Sequence, residues 1–211
     1  MDLASLTIDE FLERLGSSDP TPGGGALSAL AGAMAAAMLS MVCNLTVGRP
    51  RYADIEEEAH AILATAGTLQ SDLLALANAD AEAYGAVRDA YRLPRESDQD
   101  KELRAAAIER AMHTATEVPV QTAEAARAVL DLAARSAAAS NVTVVADVAV
   151  AAHLALAAMR GGADQAELNL ATVTDQAFSS EMAARLSAAT SGAERVATET
   201  QATVRRRAAG G

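Results

Sequence analysis

PTPGGGALSALAGAMAAAMLSMVCNL, residues 20–45, is the stretch from which an architecture follows. Two prolines restrict the approach, and Gly23, Gly24 and Gly25 reach conformations closed to other residues. Behind them, residues 26–45 are apolar and rich in alanine, the best helix former. The first turn of such a helix exposes backbone N–H donors carrying a partial positive charge, so Pro22, Gly23, Gly24 and Gly25 are candidates to face an anion or a polarised carbonyl. A plain connection into a helix reads the same way from this string alone.

The rest of the chain shares this character. Its 211 residues are 51% hydrophobic and 21% charged, the composition of one globular domain spanning residues 1–211. Aromatic residues make up 2% and Trp is absent, which leaves no platform for stacking single-stranded nucleic acid. Small aliphatic side chains must build the core, favouring closely packed helices over sheets. A formal net charge of −11 argues against nucleic acid as a partner, since phosphate binding relies on clustered Lys and Arg. Cys43 is the only cysteine; an intramolecular disulfide is excluded, and within an apolar helix it reads as a buried thiol rather than a nucleophile. Residues 1–10 lack the basic and apolar regions of a secretory signal, so a cytoplasmic location is expected. Residues 23–47 approach the length of a membrane span. Their Ala, Gly and Ser content, with no second stretch read as repeating the pattern, favours a buried core helix and no membrane contact.

Along the chain, Thr7-Ile8-Asp9-Glu10 has the spacing of a capping box and predicts a short first helix ending at Gly16. Gly48-Arg49-Pro50 breaks the chain after the second helix. From Ile55 to Leu76, apolar residues recur at three- and four-residue steps, predicting a long third helix over 52–91 that Pro94 ends. Ser97 or Asp98 is available to cap the next one. Residues 102–116 read as helix, Val118-Pro119 as a kink or new start, and another helix runs to about residue 138. A helix over 142–159 is expected to end at Gly161-Gly162, with a shorter one over 163–173 and a final long one over 174–207. The expectation is an all-α, single-domain bundle of about seven to nine helices, including long antiparallel ones.

Several strings occur in a specific order: PTPGGG after a short amphipathic helix, LTVGRPRYAD at 45–54, DAEAY at 80–84, YRLP at 91–94, EVPV at 117–120, Asn141 and Asp147 within SNVTVVADVAVAA, and Asn169-Leu170. Over nearly the whole chain they resemble the formimidoyltetrahydrofolate cyclodeaminase and methenyltetrahydrofolate cyclohydrolase family. The resemblance implies an all-helical enzyme, a homodimer or an assembly of dimers, whose substrate is a reduced folate, often polyglutamylated, with no metal and no prosthetic or redox cofactor. It places the chemistry at the one-carbon bridge between N5 and N10 of tetrahydrofolate. For a freestanding chain the favoured reaction is hydrolysis of 5,10-methenyltetrahydrofolate to 10-formyltetrahydrofolate; the alternative is attack of N10 on a formimidoyl carbon with loss of ammonia. A non-catalytic folate-binding or interaction protein on the same scaffold is a second alternative. Either reaction needs a carboxylate near a cationic amidine and a general acid or base.

Asp147 is the first candidate for that carboxylate, being acidic within the apolar segment 142–156, where burial raises a pKa or demands a partner. A structural aspartate bonded to a backbone turn reads equally from the residues. Asp80 is the second, although its neighbours Asn78 and Glu82 also suit a solvated helix face. Asn141 and Asn169 each offer a donor and an acceptor to a pterin edge, with helix capping and packing as the competing roles. Arg49 and Arg51 are candidate clamps for glutamate carboxylates, or an exposed basic loop. His60, His113 and His153 lack metal-ligand spacing. The chain departs from the family pattern at Ser140, at Ala146 where a hydroxyl residue commonly precedes the aspartate, and at Gln165 where asparagine is frequent. These departures leave the choice of reaction open.

Overall fold

The structure, a computed structural model, describes residues 2–210. Thr7 opens α1 (Ile8–Leu15) with the expected capping box: its hydroxyl accepts from the Glu10 N–H at 3.2 Å, while Glu10 Oε2 accepts from the Thr7 N–H at 2.7 Å. The longer helices are α2 (Gly24–Asn44), α3 (Glu56–Tyr91), α4 (Asp98–Ala138), α5 (Val145–Leu170), α6 (Gln176–Thr190) and α7 (Ala193–Ala209). Short 3-10 turns cover Leu3–Ser5, Pro50–Ile55 and Val142–Val144, and no strand occurs among the described residues. Ser97 caps α4, reciprocally with Asp100.

Helices α2 to α5 form an antiparallel four-helix ring. Close approaches fix the directions: Gly25 meets Asp80 and Gly32 meets Leu73, so α3 runs against α2; Gly24 meets Gln165 and Gly161 meets Ser28, so α5 does too. The Arg135–Glu58 ion pair and the Arg104 contact to the Tyr91 carbonyl tie the two ends of α4 to opposite ends of α3. Helices α6 and α7 pack against α4 and α5. Leu39, Ile62, Leu73, Leu130 and Val148 fill the core, with alanines letting the backbones approach. Cys43 is fully buried, and burial, with a smaller effect of the Glu58 charge, pushes its thiol up to about 11.

Three boundaries differ from those read in the sequence. Pro119 does not restart the chain; α4 continues through it to Ala138. Gly161-Gly162 does not end a helix but lies inside α5, where small size is needed for packing. A Cβ at Gly161 would overlap Ser28, and one at Gly162 would sit 2.9 Å from the Pro119 carbonyl and 3.0 Å from the Ala123 nitrogen. The expected last helix over 174–207 is two helices, because Gly192 takes a left-handed conformation at φ 67° and Arg127 Nη1 donates to the Ala189 and Ser191 carbonyls on the turn before it. A fourth correction concerns hydropathy: Val142–Leu170, like Gly24–Asn44, is long and apolar enough to cross a membrane by length and composition. The two segments are neighbours in the ring and pack on each other.

The glycines yield a direct test. Gly162→Ala is expected to cost about 1–3 kcal/mol, because the methyl group meets backbone that cannot give. Gly67→Ala, at an exposed helical position with nothing within 4 Å, is expected to gain about 0.5–1 kcal/mol. Urea denaturation of the two variants measures both signs.

Candidate functional site

The Gly-rich turn delivers α2 against α3 so that the first turn of α2 faces Asp80. Asp80 Oδ2 accepts the Ala26 N–H at 2.9 Å, giving α2 the side-chain cap that Gly23 cannot supply. This approach requires glycine at position 25, since a Cβ there would overlap the Asp80 carboxylate. Desolvation raises the Asp80 pKa above the ordinary carboxyl value, and the Ala26 N–H offsets part of that rise.

A cavity of about 320 Å³ opens beside this contact, walled by the turn at 20–25, Asp80 and Tyr84 from α3, Met112 and Ala115 from α4, and Gln165 and Asn169 from α5. Among the described residues, Asp80 is the only Asp, Glu, Lys, Arg or His on its wall. Asn169 Nδ2 donates to the Ala115 carbonyl at 2.6 Å, and the Gln165 amide lies 3.4 Å from the Cβ position of Gly24. A half-buried carboxylate with no cation beside it suits a cationic ligand, with the surrounding amides available to its polar edge.

Other sequence candidates lie elsewhere. Pro22 is buried and borders a separate small cavity with Leu3 and Glu82. Arg49, Arg51 and Asn141 line a second concavity with Tyr52 at the far end of α2, about 30 Å away along a 21-residue helix. Asn141 makes a structural network there: Nδ2 donates to the Leu45 carbonyl, and Oδ1 accepts from the Tyr52 hydroxyl and from the Thr143 N–H and hydroxyl. It caps the turn that starts α5. Arg49 Nε donates to the Leu45 carbonyl at 2.8 Å, whereas the Arg51 guanidinium sits 5.9 Å from the Tyr52 ring centre. Asp147 is half-buried on the first turn of α5, about 33 Å along that helix from Asn169, and within one chain it reaches no wall of the Asp80 cavity. His60 lies near Glu56, His113 lies near Glu109 and Asp175 and stacks on Phe178, and His153 is exposed. No three His, Cys, Asp or Glu side chains converge to hold a metal ion among the described residues.

The family model described as Formiminotransferase-cyclodeaminase matches residues 7–188. The chain belongs to this family. It is 42% identical over 175 residues to the methenyltetrahydrofolate cyclohydrolase of Methylorubrum extorquens, covering 83% of this chain and 84% of that protein. It is 30% identical to the formimidoyltransferase-cyclodeaminase of Sus scrofa over 84% of this chain, which corresponds to 33% of that longer protein. A crystal structure of formiminotetrahydrofolate cyclodeaminase from Thermotoga maritima matches 96% of this chain and 98% of its own, with a TM-score of 0.86 at 26% identity.

For this member of the formiminotransferase-cyclodeaminase family, the structure joins Gly23, Gly24, Gly25, Asp80 and Asn169 in one cavity. Sequence reasoning passed over Tyr84, Met112 and Ala115 and noted Gln165 only as a departure. One signal was available, because Gln165 and Asn169 are four apart and share a face of α5. Met112 and Ala115 carry no chemistry that a sequence displays.

The Gly25–Asp80 contact makes opposite predictions for two variants. Gly25→Ala is expected to destabilise the protein by about 1–3 kcal/mol, and to cost far less when Asp80→Ala removes the overlapping carboxylate. Asp80→Asn keeps an acceptor for the Ala26 N–H but removes the buried charge. A raised carboxyl pKa means that ionisation costs stability above the folded-state value and nothing below the unfolded-state value. Asp80→Asn is therefore expected to unfold at higher urea than wild type at neutral pH, with the gain shrinking as the pH falls.

Proposed function

We propose that the chain hydrolyses 5,10-methenyltetrahydrofolate to 10-formyltetrahydrofolate in the Asp80 cavity. The observation that carries this reading is the carboxylate at the mouth of α2: it complements the delocalised positive charge of the N5–C–N10 amidinium, with no cation from its own copy on the cavity wall. Water adds to the bridging carbon, one of its protons passes to Asp80, and the carbon–N5 bond breaks as Asp80 returns that proton to N5. One hydroxyl proton is released, leaving the formyl group on N10. Burial raises the basicity of Asp80 and suits it to that transfer. The relative 42% identical over most of both chains, named a methenyltetrahydrofolate cyclohydrolase, supports this reaction over its alternative.

Cyclodeamination is the second reading, supported by the likeness to the Thermotoga maritima cyclodeaminase over 96% of this chain. The same carboxylate serves a formimidoyl carbon attacked by N10 with ammonia leaving. Decay of the methenyl absorbance and release of ammonia from 5-formimidoyltetrahydrofolate separate the two. The expected result is accelerated methenyl decay that falls at least about 100-fold in kcat/KM with Asp80→Asn. Full activity in that variant overturns the assignment.

A homodimer belongs to the same proposal. Leu27, Met34 and Met41 stand seven residues apart on one exposed face of α2, a helix with no charged residue. Antiparallel pairing of two copies about Met34 would bring residues 49–52 and Asp147 of one copy beside the Asp80 cavity of the other. Arg49 and Arg51 would then reach the glutamate tail of the folate. Sedimentation is expected to show a dimer for wild type and a monomer for Met34→Glu; a monomeric wild type contradicts the pairing.

A further inference from the structure

Pro119 removes one hydrogen bond from α4 without breaking the helix. In an α-helix the N–H of residue 119 serves the carbonyl of residue 115; proline has no N–H, and its ring crowds that carbonyl outward. Pro119 is buried within α4, and the Ala115 carbonyl is left without its helical donor. A donor comes from α5, where Asn169 Nδ2 reaches it at 2.6 Å. Gly162, two turns earlier on the same face of α5, permits the approach, because a Cβ there would press on the Pro119 carbonyl oxygen at 2.9 Å.

This bond settles which way the Asn169 amide faces. A carbonyl only accepts, so the NH2 group must point at Ala115 and Oδ1 must point away. No described residue donates to Oδ1, and it is not among the buried side-chain atoms left without a partner, so it is open to a ligand. Both Ala115 and Asn169 stand on the wall of the Asp80 cavity.

We infer that Pro119 is a positioning residue for the ligand: by freeing the Ala115 carbonyl it locks Asn169 with Oδ1 toward the cavity, and so selects a ligand edge bearing an N–H donor. The inference rests on the folate reading, in which that edge is an N–H of the reduced pterin; a ligand carbonyl at the same point is rejected. With an ordinary residue at 119, the helix would close its own bond to Ala115. Asn169 would then turn over freely, offering donor as readily as acceptor.

Pro119→Ala and Asn169→Ala, made singly and together in the full chain, test this in two independent ways. In turnover of 5,10-methenyltetrahydrofolate, Asn169→Ala is expected to raise KM about tenfold, the worth of one hydrogen bond. For Pro119→Ala, kcat stays unchanged and KM rises only about twofold, since about half of the Asn169 amides then face the wrong way. Pro119→Ala is expected to add nothing in the Asn169→Ala background. Without ligand, Asn169→Ala is expected to lower the thermal midpoint by orphaning the Ala115 carbonyl, and the double variant to recover it because residue 119 then supplies the N–H. Additive effects on KM, an unchanged KM for Pro119→Ala, or no recovery in the double variant overturns the inference. A wild-type protein that turns over no folate defeats the reading of the function instead, while the thermal measurement still decides the role of Pro119.

Discussion

The structure depends on one close approach, the seating of the Asp80 carboxylate on the first turn of α2. Glycine at 25 makes room for it, the Ala26 N–H holds it, and desolvation raises its pKa. The contact joins α2 to α3 and also creates a reactive group. A carboxylate in this setting is costly to ionise and correspondingly eager for a cation or a proton. The helix N-terminus keeps that cost tolerable by supplying a fixed donor and a partial positive charge.

The opposite wall obeys a related constraint. Helices α4 and α5 approach closely because Gly162 faces the Pro119 carbonyl, and the bond missing at Pro119 is replaced by one from Asn169. Fold and site are therefore not separate layers in this bundle. The irregularities that let the helices touch, a glycine in the first turn of α2, a proline inside α4 and paired glycines inside α5, also orient the groups on the cavity wall.

Much of this was legible in the sequence, for reasons of local chemistry. The capping box at Thr7, the alanine-rich α2 and the helical periodicity after Ile55 are properties of neighbouring residues, and each element forms where that chemistry places it. Pro119, Gly161 and Gly162 were misread because their local signal is to stop a helix, while their role is set by a partner helix distant in sequence. Asp147 and Asp80 were ranked by local apolarity, which favours Asp147. Burial depends instead on what packs across, and α2, distant in sequence, desolvates Asp80. Asn141, read as either a pterin contact or a cap, does cap the turn before α5, bonded to Leu45, Tyr52 and Thr143.

The central claim is that the Asp80 carboxylate, desolvated against α2, is the charge that receives the folate cation. Carbon-detected NMR titration of the Asp80 carboxyl, in the free protein and with bound 5,10-methenyltetrahydrofolate, tests it most directly. A pKa above the ordinary carboxyl range in the free protein, lowered when the cation binds, is the predicted result. An ordinary pKa that the ligand leaves unmoved would contradict it.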